Sequence, residues 1–400
     1  MRVVVSTEAR FTRTPDGAVW TSDGPAYRFW TRYLSVFDEV RVVARVREAT
    51  EPGAKAVRSD GDQVKVWPVP YYVGAREYLA TQFAIGRALR SAAERDDAVI
   101  LRVPSPIGTR LAVHRNRLRL PYALEVVGDP HDVFAPGVLR HPLRPLLRRR
   151  FADRLRRECQ SAVAASYVTE SHLQSRYPAG PDAPTAAISS IDLPVDAFVE
   201  RPRVYTGRGV AEPTLISIGT MDQLYKGIDV LIEALAILNR AGTPARLVHL
   251  GTGRYRRDLE RLAERRGVGD RVRFEGWCTP GAPVRRQLDA ADLFVMPSRT
   301  EGLPRALIEA MARALPAIGT RVGGIPELLL PADLVGPDDP DALAAAVAGM
   351  LDDSRRMIAT SARNLNRARR YSRDSLAPQR ELFYRAVRDA TTSHDLAGSR

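Results

Sequence analysis

Short runs of valine, isoleucine and leucine alternate with longer amphipathic stretches from one end of the chain to the other. Unbroken apolar runs are typical of parallel strands that are buried on both faces, and the stretches between them predict the covering helices. The predicted strands of the first half span residues 2–6, 40–46, 64–69, 98–103, 122–127, 162–165 and 185–188. Those of the second half span residues 214–218, 246–250, 272–274, 293–296, 317–318 and 334–335. The pattern predicts an α/β fold with two parallel sheets.

A stretch rich in proline and glycine separates the two sets of strands. It runs from residue 192 to residue 213 and would interrupt either a helix or a strand. We therefore expect two Rossmann-like, doubly wound domains that face each other across a cleft. The predicted boundaries are residues 1–195 for the first domain, 196–213 for the linker and 214–370 for the second domain. A helical tail follows, and its last part, residues 371–400, is expected to pack back on the first domain.

Composition narrows the class of protein. The 400 residues are 44% hydrophobic and 27% charged, which is typical of a soluble globular chain. No apolar run approaches the ~20 residues of a membrane-spanning helix, and the first few residues are too short a run for a signal peptide. Two cysteines, Cys159 and Cys278, cannot form a disulfide framework and fit a reducing cytoplasm. We therefore expect a cytoplasmic protein.

The loop after the predicted strand 293–296 carries two carboxylates beside a helix start. Pro304 suits a first helical turn, so a helix is predicted from near Leu303 to about residue 314. Free backbone N–H groups there can bind an anion, and Gly302 permits close approach of a ligand. Glu301 and Glu309 could then accept hydrogen bonds from ligand hydroxyl groups. The alternative is a helix-start glutamate favoured by the dipole and an exposed helical glutamate without a ligand.

The loop after the predicted strand 214–218 ends in a lysine at another helix start. Only three of the 60 basic residues are lysines, so Lys226 suggests that a compact ammonium group was needed there. Its position at the carboxyl edge of the same sheet favours a phosphate ligand. The alternative is a solvated surface lysine.

These motifs together resemble the donor-site signature of the retaining glycosyltransferases of family 4, which have the GT-B fold. The resemblance is close over residues 215–328 and rests on motifs in the expected order. They are Ser217-Ile218-Gly219, Lys226-Gly227-Ile228-Asp229, Leu250-Gly251-Thr252-Gly253, Phe274-Glu275-Gly276-Trp277, Glu301 with Glu309 eight residues later, and Gly323-Gly324-Ile325-Pro326-Glu327-Leu328.

The resemblance implies a role for each donor-site residue. Lys226 would hold the diphosphate of a nucleotide sugar, Glu309 would accept the ribose hydroxyls, and Glu301 would grip the sugar. The other implied donor contacts are Gly219 and Thr220 at the phosphates, Trp277 near the base, and the backbone of Gly302, Leu303 and Pro304 beside the sugar. One feature departs from the family, because members often carry an arginine shortly before the lysine and residues 220–225 contain no cation. Either Arg254 or Arg305 substitutes from another loop, or one phosphate contact is missing.

The first domain is expected to bind the acceptor. His131 follows a predicted strand. The resemblance implies that a histidine or an aspartate at this position lies near the reacting carbon, so His131 and Asp129 are candidate residues of the acceptor site. A loop histidine without a role is the alternative. Gly17 lies where family members carry a glycine-bearing acceptor loop, although this match is loose.

The expected activity is transfer of a sugar from a UDP- or GDP-sugar to a glycan or a lipid-linked glycan, with retention of configuration. The resemblance implies no cofactor and no metal, and the six histidines show no metal-ligand spacing. An NAD-dependent oxidoreductase would need a complete glycine fingerprint, which is absent. No RNA-binding or helix-turn-helix signature indicates a nucleic acid partner. A non-catalytic basic module on a membrane surface stays open as an alternative.

The net charge of +13 is concentrated in two windows. Eight arginines and one aspartate lie between Arg140 and Arg157, and seven arginines without an acid lie between Ser354 and Arg373. In the first window Leu147, Phe151, Leu155 and Cys159 recur every four residues, which predicts a helix with one buried stripe. Its arginines suit contact with an anionic membrane surface. The protein would then be peripheral at the inner face of the membrane and would take part in polysaccharide biosynthesis. A solvated arginine-rich face explains them equally well.

Overall fold

The computed structural model describes residues 1–22, 24–130, 143–205 and 212–398. Its first half forms a nine-stranded sheet. The strands are β1 Arg2–Arg13, β2 Val19–Thr21, β3 Glu39–Glu48, β4 Val57–Arg58, β5 Val64–Pro70, β6 Ala98–Val103, β7 Ala123–Val126, β8 Ala164–Tyr167 and β9 Thr185–Ala187.

Seven strands of this sheet are parallel, in the order β5-β3-β1-β6-β7-β8-β9. The far end of β1 pairs antiparallel with β2, which in turn pairs with β4. The sequence pattern missed β2 and β4 and predicted only the first five residues of β1. These segments lie outside the doubly covered part of the sheet, so they lack the apolar runs that mark the other strands.

The second sheet is parallel throughout, in the order β12-β11-β10-β13-β14-β15. Its strands are β10 Thr214–Ile218, β11 Arg246–Leu250, β12 Val272–Gly276, β13 Leu293–Met296, β14 Ala317–Thr320 and β15 Leu334–Val335. The chain builds outward from β10 to β12 and then returns to place β13 on the other side of β10. This change of direction is the switch point at which open parallel sheets bind ligands.

Helices cover both sheets, and most of them follow a strand. They are α1 Tyr27–Trp30, α2 Gly74–Arg90, α3 Pro106–Arg117, α4 Arg144–Ser161, α5 His172–Arg176, α6 Ile228–Arg240, α7 Arg256–Arg265, α8 Ala282–Asp289, α9 Arg305–Ala312, α10 Ile325–Leu328, α11 Pro340–Leu351, α12 Ser354–Arg369 and α13 Arg373–Gly398. Helix α4 buries Leu155 and Cys159 and half-buries Leu147 and Phe151, as the spacing predicted. Among the described residues, no helix has both the length and the apolarity needed to cross a membrane.

Helix α13 returns from the second sheet to the first. Its start is tied to the end of the first domain, because the N–H of Arg373 donates to the carbonyl of Leu193 at 2.9 Å. Farther along, Phe383 and Tyr384 join the hydrophobic cluster that contains Trp30. The exact domain boundaries stay a prediction, and residues 206–211 of the predicted linker lie outside the described residues.

Candidate active site

The loops after β10 and β13 bring a lysine and a glutamate together. Lys226 Nζ donates to Glu301 Oε1 at 2.5 Å, and Ser298 Oγ donates to the same oxygen at 2.7 Å. The two charged side chains are only 16% and 8% exposed. Because β10 and β13 are neighbours, the carboxyl ends of both strands present these residues at the switch point of the second sheet.

The loop that carries Lys226 is held rigidly. A short 3₁₀ turn, Leu224–Lys226, ends at Gly227, whose φ of 68° is left-handed. A Cβ at Gly227 would also collide with the carbonyl of Pro297, so only glycine lets the two loops approach this closely. Arg299 then clamps the start of α6 by donating to both oxygens of Asp229 at 2.9 and 2.8 Å. The lysine is therefore presented from a fixed backbone.

A buried histidine supports this loop from below. His249 Nε2 lies 3.0 Å from the carbonyl oxygen of Gly219, and its Nδ1 lies 2.7 Å from Ser217 Oγ. Burial is the main reason why the pKa of His249 is lowered to about 4; the hydrogen bond to Gly219 opposes this shift and the charge of Lys226 adds to it, so the ring is neutral at pH 7. Since a carbonyl only accepts, we assign the ring proton to Nε2. Sequence reasoning gave His249 no role, although a histidine within a buried strand was a signal.

Glu309 is half-buried on α9 and unpaired. Its carboxylate makes no hydrogen bond or ion pair with any part of the chain that the structure describes. Burial raises the pKa of Glu309, and the positive charges of Arg305 and Arg285 oppose that rise. A partly buried carboxylate without a partner has its hydrogen-bonding capacity free for hydroxyl groups of a ligand.

The Gly302 loop lies against the first domain. A Cβ on Gly302 would sit 2.9 Å from the carbonyl oxygen of Val127, so the cleft is closed at this point. The N–H groups of Gly302 and Leu303 donate to no acceptor within the described residues. Helix α9 begins at Arg305, slightly later than predicted, with Pro304 before its first turn. Pro304 and the side chain of Leu303 are buried, which leaves the backbone for ligand contacts.

Two further predicted donor-site residues, Thr220 and Trp277, lie on the loops that follow β10 and β12. Thr220 Oγ1 donates to Asp222 Oδ2 at 3.0 Å, so its hydroxyl shapes its own loop. Trp277 is exposed, and Lys55 Nζ of the first domain lies 4.6 Å from the centre of its ring. Arg254 and Arg305 are both exposed and form no ion pair in the described part of the chain. Either is therefore available as the missing cation.

Two of the three residues predicted for the acceptor site lie within the described part of the chain. His131 lies outside the described residues, so its role stays a prediction. The carboxylate of Asp129 is buried and paired with Arg176 and the Tyr177 hydroxyl, which makes it an internal anchor of the first domain. This geometry does not favour contact between Asp129 and an acceptor. Gly17, with φ of 82°, lies in the turn between β1 and β2, and beyond its own chain neighbours no described residue has a heavy atom within 4 Å of where its Cβ would be.

Sequence reasoning missed a contact between the domains. Glu327 on α10 accepts backbone N–H groups of Glu170, Ser171 and His172 at 2.6, 2.9 and 2.7 Å, and the Ser171 hydroxyl at 3.0 Å. Arg367 donates to Glu170 Oε2 at 2.9 Å and to the carbonyl of Glu327 at 2.7 Å. We call these five residues the Glu327 clasp. Glu327 belongs to a motif of the resemblance that had no assigned role.

The two arginine-rich windows differ in how their charges are used. Most arginines of the second window pair within the protein: Arg356 and Arg363 with Asp333, Arg367 and Arg370 with Glu170, and Arg373 with Asp192. In the first window, residues 140–142 lie outside the described residues. Within its described part, Leu143 and Leu146 are 56% and 62% exposed, and the arginines at 149 and 150 are exposed as well.

Residues 212–353 match the family model described as glycosyl transferases group 1. Protein CapJ of Staphylococcus aureus is 26% identical over 312 residues, which cover 76% of this chain and 75% of CapJ. D-inositol 3-phosphate glycosyltransferase of Segniliparus rotundus is 30% identical over 265 residues, which cover 63% of this chain and 57% of that protein.

Solved structures resemble the whole chain. Sucrose-phosphate synthase from Thermosynechococcus elongatus aligns with a TM-score of 0.73 at 16% identity, covering 98% of this chain and all of the other. HepE of Anabaena, solved with UDP and glucose, aligns at 0.64 and 15% identity over 95% of this chain and 98% of its own. The fold is therefore GT-B, as predicted. Residues 212–353 match the glycosyl transferases group 1 model, and the relatives support glycosyltransferase activity.

Proposed function

We propose that this protein transfers a sugar from a nucleotide-diphosphate sugar to a hydroxyl group of an acceptor, with retention of anomeric configuration. One observation carries the proposal: the buried Lys226–Glu301 pair lies at the switch point, beside the free N–H groups of Gly302 and Leu303. A cation and backbone donors suit the diphosphate, and the carboxylate suits sugar hydroxyls. The HepE structures that resemble this chain hold UDP or UDP-glucose, which supports a nucleotide-sugar donor.

Each donor residue then has a task. Lys226 leaves Glu301 for the diphosphate when the donor enters, and this movement frees the Glu301 carboxylate for the sugar. Glu309 accepts the ribose hydroxyls, and Trp277 lies near the base. Gly219 and Thr220 approach the phosphates through their backbone. His249 keeps the Gly219 carbonyl turned away from the phosphates by holding it in a hydrogen bond.

Sugar transfer from a diphosphate is mainly a problem of charge stabilisation. The bond between the anomeric carbon and the phosphate oxygen breaks, and the acceptor oxygen bonds to the same face of that carbon. The proton of the acceptor hydroxyl passes to the departing phosphate oxygen. Lys226 and the Gly302 loop stabilise the negative charge that develops on the diphosphate. No enzymic nucleophile, metal or cofactor is called for, and the closed cleft excludes water that would hydrolyse the donor.

The proposed acceptor is a glycan or a lipid-linked glycan. Related chains include a putative colanic acid biosynthesis glycosyltransferase of Escherichia coli, and a similar structure is WaaG, involved in lipopolysaccharide biosynthesis. Exposed Leu143 and Leu146 beside the arginines of α4 support contact with an anionic membrane surface. Sedimentation with vesicles tests this contact, since binding should require anionic lipid and should weaken when both leucines become serine.

Thermal unfolding with nucleoside diphosphates tests the donor site. We expect UDP or GDP at millimolar concentration to raise the melting temperature, because a ligand that binds only the folded state stabilises it. Lys226→Ala should abolish this rise. Lys65→Ala is the matched control, since Lys65 is an exposed lysine of the first domain and should leave the rise intact. No rise with UDP, GDP or ADP would contradict the proposal, as would a rise that survives Lys226→Ala.

A further inference from the structure

A small cavity at the carboxyl edge of the first sheet is lined by guanidinium groups. Its free volume is about 20 Å³, room for about one water molecule or one small ion. Arg32, Arg102 and Arg380 line it, together with Glu125 from the end of β7. Helix α13 contributes Arg380, so the returning helix closes the cavity against the first domain.

The positive charges around this cavity exceed the negative ones. Arg102 pairs with Glu125, whose other oxygen accepts the Tyr33 hydroxyl at 2.8 Å, so both oxygens of that carboxylate already have a partner. Asp192 is shared by three arginines at 3.7, 3.5 and 3.4 Å, namely Arg32, Arg380 and Arg373. These distances are longer than those of a good charged hydrogen bond, which are about 2.7–2.9 Å. One aspartate thus serves three guanidinium groups, each at a loose distance.

Two of the arginines that line the cavity each carry an unsatisfied donor. The Nε–H groups of Arg32 and Arg380 are buried and find no acceptor within the described residues. The Arg380 side chain is only 6% exposed. Burial lowers the pKa of Arg380, and the adjacent Arg32 guanidinium lowers it further. Leaving a buried charged donor unpaired costs free energy, so the arrangement calls for an acceptor that carries negative charge.

We propose that this cavity binds a small monovalent anion, a halide or a carboxylate, between Arg32 and Arg380. A halide fits this volume whole, and a carboxylate can place one oxygen of its planar group there, whereas the tetrahedral head of a phosphate or a sulfonate is too large. Two sources share this chemistry. One is a free halide, which would link α13 to the first domain. Binding of a halide does not depend on the proposed function.

The other source is a carboxylate carried by the acceptor, which rests on the proposed function. Val127 also lines the cavity, and its carbonyl oxygen lies against Gly302 of the donor loop. The cavity is thus adjacent to the junction at which an acceptor in the first domain would meet the donor. An acidic sugar would reach it with its carboxylate while its hydroxyl faces the cleft.

Thermal unfolding in matched concentrations of sodium chloride, acetate and methanesulfonate tests the site, because the tetrahedral sulfonate is too large for the cavity and carries no carboxylate. We expect chloride or acetate to raise the melting temperature by about 2 °C or more over methanesulfonate. Arg380→Gln should remove the difference. Arg385→Gln is the matched control, since Arg385 lies on the same helix and is exposed. A larger rise with acetate points to a carboxylate, and a larger rise with chloride points to a free halide.

Crystals of the unaltered protein grown with bromide keep the test decisive if Arg380→Gln fails to fold. An anomalous peak within hydrogen-bond distance of the Arg32 and Arg380 Nε atoms supports the halide. Equal melting temperatures in all three salts, with only water in the cavity, would overturn the proposal. The donor-site test with UDP and GDP is independent of this result, so failure of either inference is seen separately.

Discussion

Replacing Glu327 by alanine should loosen the contact between the two domains. The substitution removes the carboxylate that accepts four hydrogen bonds from residues 170–172, while the contacts of Arg367 with Glu170 and with the backbone carbonyl of residue 327 remain. A buried hydrogen bond to a charged group contributes about 1.5–3 kcal/mol, but these contacts are largely exposed, so we assign about 0.5–1 kcal/mol to each. The total is about 2–4 kcal/mol, which lowers the ratio of closed to open molecules by a factor of about 30–1,000.

Small-angle scattering of the unliganded protein measures this change directly. We expect the radius of gyration to increase in Glu327→Ala, and Glu327→Gln, which keeps one acceptor oxygen, to fall between the two. Glu381→Ala is the matched control, because Glu381 is a half-exposed glutamate whose partner in the described part of the chain is Arg385 on its own helix. The reasoning is refuted if Glu327→Ala scatters like the unaltered protein, since the clasp would then not hold the domains together.

Three further predictions concern the second sheet and the cleft. Burial lowers the pKa of His249 from 6.5 to about 4, so the unfolded chain binds its proton first and stability should fall by up to about 3 kcal/mol as the pH drops from 6.5 to 4. Urea titrations of His249→Gln should show a shallower loss over that interval, and an unchanged slope would exclude His249 as the cause. Glu309→Gln should raise the KM for the donor with little effect on folding, because Glu309 has no partner among the residues that the structure describes. Calorimetric titration with the nucleoside diphosphate checks it, and unchanged affinity would remove Glu309 from the ribose. Gly302→Val should block closure, since its Cβ would press on the Val127 carbonyl. Activity close to that of the unaltered protein would show that the cleft works more open than this.

The central strands could be predicted from the sequence because they are buried on both faces. The predicted bounds of β6, β10, β11, β13 and β15 agree with the structure. Strand β2, by contrast, is three residues long and lies at an edge, where a partly polar sequence suffices. The hydrophobic pattern therefore identifies the central strands of both sheets and misses short strands at a sheet edge.

The donor loops could be found from the sequence because their chemistry is local. Lys226 and Glu301 each follow a recognisable strand, and the motifs that surround them are short. The sequence could not show that β10 and β13 are neighbours, and it is this pairing that joins the two side chains at 2.5 Å. The order of the motifs along the sequence made the site recognisable, and the order of the strands in the sheet brings its residues together.

Contacts between distant segments could not be predicted. Glu327 accepts hydrogen bonds from residues more than 150 positions earlier, and no local pattern marks that pairing. The same holds for the arginines between Ser354 and Arg373, which looked like a free basic surface. Arg356 and Arg363 are instead paired with Asp333. Charge along a sequence does not reveal which charges a fold will neutralise.

The most direct test of the account is release of nucleoside diphosphate from a panel of UDP- and GDP-sugars, with a glycan and lipid extract as the source of acceptor. We expect release from at least one donor, and a loss of about 100-fold or more in Lys226→Ala, because that residue stabilises the charge on the leaving group. Lys65→Ala should release the nucleotide at the unaltered rate. Release that is equal in Lys226→Ala, or no release from any donor of the panel, would contradict the account.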